Sequence, residues 1–140
     1  MASPLTLVPV TTKAELRRFV VLPNRLNAGD PHYIAPLIME RMEALSPKTN
    51  PFFDHAQVQL WLAVRDGRDV GRISAQIDSL TPDDGGAPVG HFGMIAAEDD
   101  PAIFKLLFEA AEGWLKARGK RRVIGPFNLS INEEVGLLID

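Results

Sequence analysis

The sequence predicts an α+β domain, and three observations carry that expectation. Two β-rich runs, Val58 to Val64 and Val70 to Asp78, flank Arg65-Asp66-Gly67-Arg68-Asp69, whose Asp-Gly pair is a strong short hairpin signal. Behind Asp100-Pro101 lies a long run with apolar residues at helical spacing. The elements follow in the order β-α-α-β-β-β-α-β, before an unfinished element at the C-terminus.

Each element has a local reason. Leu5 to Val10 alternates and carries β-branched residues, as a short opening strand does. Thr12-Lys13-Ala14-Glu15 fits a capping box, in which the Thr12 hydroxyl accepts from the Glu15 amide and the Glu15 carboxylate reaches back. Leu16, Phe19 and Val20 follow at helical spacing, and Pro23 is expected to end or kink that helix. After a loop at Asn27-Ala28-Gly29-Asp30-Pro31, the residues Ile34, Leu37, Ile38, Met42 and Leu45 mark one face of a second helix that stops before Ser46-Pro47. Phe52 and Phe53 are anchors in the turn-rich stretch from Pro47 to Asp54.

Val58 to Val64 is apolar on both faces, as a central strand should be. In its partner, Ile73, Ala75 and Ile77 are expected to face in and Arg72, Ser74 and Gln76 out. Thr81 to Pro88 is a loop by composition. In the strand from Val89 to Ala97, Gly90 and Gly93 imply a bulge or the close approach of another backbone. Asp100 is an N-cap with Pro101 at the first helical position. Ile103, Phe104, Leu107, Phe108, Ala111, Trp114 and Leu115 form the apolar face of that helix, and Gly119 ends it. Arg122 to Phe127 is a strand stopped by Pro126, and Val135 to Ile139 is a strand or short helix.

Composition narrows the class. The 140 residues are 46% hydrophobic and 24% charged, the profile of one soluble globular domain. The formal net charge of -3 argues against nucleic-acid binding through bulk charge. With Cys 0, disulfides, thiolate catalysis and Cys-based zinc sites are excluded. No apolar run approaches the ~20 residues of a membrane span. The start, Met1-Ala2-Ser3-Pro4, lacks the basic and apolar regions of an export signal, so a cytoplasmic protein is expected. The chain stops at Asp140, directly after the apolar run Val135-Gly136-Leu137-Leu138-Ile139, so residues 1–140 read as a single domain that is a fragment or one half of a longer protein.

Two segments resemble the GNAT-type N-acyltransferases. Leu62 to Ile73 looks like that family's second-to-third strand hairpin, and Leu106 to Gly119 resembles its central helix. More narrowly, Gly90-His91-Phe92-Gly93 together with Gly125 to Gly136 resembles a bacterial subfamily of tandem GNAT-like proteins, some of them connected with N-acylation of long-chain amines. The resemblance covers nearly the whole chain. It implies a mixed, mostly antiparallel sheet flanked by helices. It also implies acyl transfer from a thioester to a small-molecule or lipid-like amine, with acyl-CoA or acetyl-CoA as cosubstrate; no His-x3-His or similar spacing is present, so no metal is expected.

One departure qualifies the cosubstrate. The family carries an Arg/Gln-x-x-Gly-x-Gly/Ala loop at the N-terminus of the central helix, where backbone N–H groups meet the cofactor pyrophosphate. Here Ala96-Ala97-Glu98-Asp99-Asp100-Pro101-Ala102 has neither glycine nor arginine, and its three carboxylates repel a phosphate. This half is therefore not expected to hold acyl-CoA in the family's usual way.

Asn128, Ser130, Asn132, Glu133 and Glu134 cluster after the fifth predicted strand, where acyltransferases of this fold place groups that orient the amine and relay its proton. An amine nucleophile must lose a proton, so a Glu of raised pKa or a His is the expected base. On this reading Glu133 or Glu134 is the base, Asn128 and Ser130 orient the substrate, and Asn132 and His91 contact it. The alternatives are a helix capped by Ser130 or Asn132 with both Glu in its first turn, and a structural role for His91. His32 and His55 lie in loop-like sequence, exposed or lining a substrate mouth.

Two competing functions remain. One is a non-catalytic, degenerate module that scaffolds a partner domain or dimerises. The other, minor, is a nucleotide pyrophosphohydrolase, because Glu133-Glu134-Val135-Gly136-Leu137 copies the tail of the Nudix box. In register, however, that box places its required residues on Leu115, Arg121, Leu129 and Ser130, and all four fail. A sheet short of its last strands would expose an edge, so a homodimer is expected, with exchange of C-terminal segments as one way to form it.

Overall fold

The computed structural model describes residues 4–79 and 88–126. Among them the chain forms β1 (Thr6–Pro9), α1 (Lys13–Leu26), α2 (Ile38–Ala44), a 3-10 turn at Pro51–Asp54, β2 (Ala56–Arg65), β3 (Arg68–Asp78), β4 (Val89–Ala97), α3 (Pro101–Ala117) and β5 (Arg122–Ile124). The strands make one sheet in the order β1-β2-β3-β4-β5. Its first three pairings are antiparallel and the last, β4 with β5, is parallel. The α+β class, the element order and the mixed, mostly antiparallel sheet expected from the sequence are all present.

The β2–β3 hairpin closes through Asp66 and Gly67, both at positive φ (54° and 71°), between the paired Arg65 and Arg68. Two successive left-handed residues define the turn whose twist matches the flanking strands, and Asp-Gly is a pair that adopts it readily. The sheet then carries helices on both faces. Phe19, Val20 and Leu22 of α1 pack with Leu45, Phe52, Leu60, Leu62 and Met94 on one side. Ile103, Leu107, Ala111 and Leu115 of α3 pack with Trp61, Ala63, Val70, Ile73 and Ala75 on the other.

The Thr12 capping box forms as expected. Glu15 N donates to Thr12 Oγ1 at 3.1 Å, and Thr12 N donates to Glu15 Oε1 at 3.0 Å. Pro23, by contrast, does not end α1, which runs three residues further to Leu26. Proline removes the N–H that would bond the carbonyl four residues earlier, here that of Phe19. Arg72 on β3 takes that carbonyl instead, with Nη1 donating to Phe19 O at 2.9 Å and the guanidinium 4.7 Å from the Phe19 ring centre. The cation replaces the missing donor, so the helix continues.

The second helix is shorter than its apolar pattern implies. Its seven residues include no buried one, and Ile34 and Leu37 lie outside it, 88% and 71% exposed. It does stop before Ser46, as expected. Arg72, Ser74 and Gln76 are also not outward: Ser74 and Gln76 are fully buried. β3 is the middle strand of five and is covered by α3 on one face and α1 on the other, so it has no outer face. The predicted loop at Thr81 to Pro88 lies outside the described residues except for Pro88.

Of the two explanations offered for the glycines of β4 the bulge holds, whereas the close approach at Gly90 is made by a side chain and not by a backbone. At Gly90 a Cβ would stand 2.4 Å from Leu115 Cδ2, so α3 lies too close for a side chain. Beside Gly93 the pairing slips: Arg72 faces Ala96 but Ser74 faces Gly93, which leaves one extra residue in β4. That is a β-bulge, and Met94 within it sits at φ 51°. Gly90→Ala is expected to lower stability by about 1–3 kcal/mol through overpacking against Leu115. Chemical denaturation checks this, and Leu115→Ala should relieve much of the loss in the double variant.

Candidate functional site

Alternation along β3 puts Arg72, Ser74, Gln76 and Asp78 on the face covered by α1. Residues opposite one another in an antiparallel pair share a face, so His91, opposite Gln76, joins them from β4. His55, just ahead of β2, joins at the open end: its Nδ1 lies 2.6 Å from Asp78 Oδ1. Ser74 Oγ donates to Gln76 Oε1 at 3.3 Å. The result is a polar cluster of Ser74, Gln76, Asp78, His55 and His91 inside an otherwise apolar layer.

Burial grades across it. Ser74 and Gln76 are shut from solvent, and His91 is 7% exposed. The His55 and Asp78 side chains keep 31% and 14%. Desolvation holds the His91 imidazole below the ordinary histidine range, and the negative charge of Asp78 partly opposes this. His91 is thus neutral near pH 7, and a neutral imidazole can accept a proton.

Gly93 faces Ser74 without a side chain, and the bulge at Met94 follows at once. Among the described residues β4 and β5 pair only over Val89–His91 and Arg122–Ile124. Beyond His91 the β5 side of β4 is therefore without a ladder partner among those residues. The cluster sits where the regular sheet gives way, a common setting for reactive groups.

The opposite end of β4 is built for charge neutralisation. Asp100 caps α3: its Oδ1 accepts from Ala102 N at 2.9 Å and its Oδ2 from Arg65 Nη1 at 2.9 Å. The Arg65 hydrogen bond, then that of the Ala102 amide, hold its carboxyl below the usual range. Glu98 meets Arg68 at 3.1 Å and Arg25 at 3.7 Å. Arg18 grips Asp69 with two hydrogen bonds, of 2.6 and 3.1 Å. The N-terminal end of α3, where the resemblance implied a pyrophosphate site, is occupied by the protein's own acids and their arginines.

Of the site residues expected from sequence, His91 falls within the cluster. Asn128, Ser130, Asn132, Glu133 and Glu134 lie outside the described residues. His32 is exposed. Gln76 and Asp78 escape a sequence reading as site residues. Their signal is present nonetheless, since a polar residue at every second position of a central strand cannot face water. No three His, Asp or Glu side chains stand together as a metal site among the described residues. No helix among them is long and apolar enough to cross a membrane.

Solved structures share this fold. A predicted acetyltransferase from Clostridium acetobutylicum, solved with acetyl-CoA, superposes with a TM-score of 0.66 at 10% identity, over 92% of this chain and 85% of its own. This chain has the GNAT acetyltransferase fold. A tandem GNAT protein from the clavulanic acid biosynthesis pathway matches with a TM-score of 0.62 at 17% identity, over 84% of this chain and 34% of its own. In sequence, the GNAT-fold chain is 70% identical over 136 residues to a bacterial ceramide synthase of Caulobacter vibrioides, covering 96% of this chain and 35% of that protein. It is 51% identical over 128 residues to protein YghO of Escherichia coli, covering 91% and 33%. The chain thus spans about a third of the length of these curated relatives. No protein-family model matches it.

Proposed function

We propose that the chain is part of an N-acyltransferase, moving an acyl group from a thioester onto an amine. The observation that carries this is the buried polar cluster around His91, placed beside the β4 bulge of a GNAT fold. The amine nitrogen attacks the thioester carbonyl, the thiolate leaves, and the amine proton must go to a base. Glu133 or Glu134 is the acceptor that the sequence offers, with Asn128 and Ser130 orienting the substrate and Asn132 in contact with it. His91 is a second candidate acceptor: desolvation keeps its imidazole unprotonated, and the same shift lowers its basicity. The ceramide synthase relative supports a long-chain amine as acceptor, since a ceramide is a fatty amide of such an amine.

A second reading, a non-catalytic half that supports a partner domain, is favoured by one observation. Arg65 and the Ala102 amide already engage Asp100 at the N-terminus of α3, which leaves that helix end unsuited to a cofactor pyrophosphate. Isothermal titration with acetyl-CoA and a long-chain acyl-CoA, with free CoA as control, separates the two. Catalysis within this chain requires micromolar binding of an acyl-CoA. Absence of heat from all three ligands would favour the scaffold reading.

A further inference from the structure

Beside the polar cluster, with Val58 and Leu60 paired to Gln76 and Ser74, a groove of about 1390 Å³ opens between the first turns of α1, helix α2 and the first half of β2. Its existence follows from two features of the chain. β1 ends at Pro9, opposite Trp61, so β2 continues toward Ala56 without β1 as a ladder partner. Helix α2 is seven residues long and none of them is buried, so it screens this stretch without closing over it. Leu16, Met42, Leu45, Val58 and Leu60 give the groove an apolar lining. Met39, in the lining, stands 75% exposed, and Leu37, at the N-cap of α2, 71%.

The rim has a sign. Lys13 and Arg17 from α1 and Lys48 from the loop after α2 line it, against Glu43 as the carboxylate. All three cations are exposed, and none makes an ion pair among the described residues. An open apolar groove beneath exposed positive charges matches a ligand with a hydrocarbon tail and a negative head. Its volume leaves room for a long hydrocarbon tail.

We propose that this groove holds the alkyl chain of a long-chain fatty carboxylate or acyl amphiphile, its anionic end resting on Lys13, Arg17 and Lys48. The proposal concerns binding alone and stands whether or not the chain catalyses acyl transfer. cis-Parinaric acid, a fluorescent long-chain carboxylate, is the probe, titrated into the purified full chain below its micelle concentration. Saturable fluorescence gain is expected, reversed by hexadecanoate, with each methylene removed from the competitor weakening it about fourfold. Ala14→Trp and Met42→Trp, which fill the groove, should each abolish the signal with circular dichroism unchanged. The exposed pair Arg17→Glu and Lys48→Glu, which does not depend on repacking, should weaken binding about fivefold per charge at low salt. Full-strength binding in a folded groove-filling variant would overturn the proposal. So would equal competition by hexadecyltrimethylammonium, or sedimentation with anionic vesicles without uptake of the monomeric probe.

Discussion

Replacing Arg72 by methionine is expected to destabilise the domain by about 2–4 kcal/mol, and adding Pro23→Ala should return part of that loss. The guanidinium does two things at once. It donates to the Phe19 carbonyl that Pro23 leaves without a helical partner, and it covers the ring of a fully buried phenylalanine. Methionine keeps most of the volume but neither interaction, so a buried acceptor is left unsatisfied. Alanine at position 23 restores an N–H that can reach the same carbonyl in the ordinary helical way. The double-mutant cycle, read by urea denaturation, should therefore show Pro23→Ala more favourable in the Arg72→Met background than in the chain that keeps Arg72. Additive effects would mean that Arg72 is not the compensating donor.

That coupling also shows what is legible in the sequence. The hairpin, the capping box and the Asp100-Pro101 helix start are local devices, complete within a few residues, and each forms where expected. Pro23 does not end the helix, because its compensation comes from 49 residues away in a different element. The second helix misleads in part. Its apolar spacing is borne out only toward the C-terminus: Leu45 is buried and Ile38 and Met42 pack on the core, but Ile34 and Leu37 lie outside the helix and exposed, so periodicity alone does not report burial.

The same limit governs the candidate site. His91 stands out in the sequence as a lone polar residue between glycines, but its neighbours arrive from β3 through strand register and, as His55, from the turn ahead of β2. Gln76 and Asp78 look like the wet face of a half-buried strand. Only the placement of β3 at the centre of the sheet, with a helix on each side, turns that alternation into a buried polar row. The acidic stretch at α3 is legible as a cap, whereas its arginine partners lie on α1 and the β2–β3 hairpin.

If His91 takes the amine proton, His91→Ala should lower kcat of the full-length enzyme about 10²–10⁴-fold with little change in KM for the thioester. The pH dependence distinguishes this from a merely structural role. Burial depresses the His91 pKa, so the active neutral form prevails at pH 7 and is lost only as pH falls below the ordinary histidine range. The acid limb of kcat should therefore lie below about 6.5 and vanish in the variant. Stability has a matching sign. The unfolded chain binds a proton at this histidine more readily than the folded one, so its contribution is intact above about 6.5 and erodes as pH falls toward the lowered value. His91→Gln keeps a hydrogen-bonding side chain but cannot accept the proton, so it should fold and remain slow. An active His91→Gln enzyme that keeps its acid limb would transfer the role to Glu133 or Glu134. Replacing each of those by glutamine would then identify which one takes the proton.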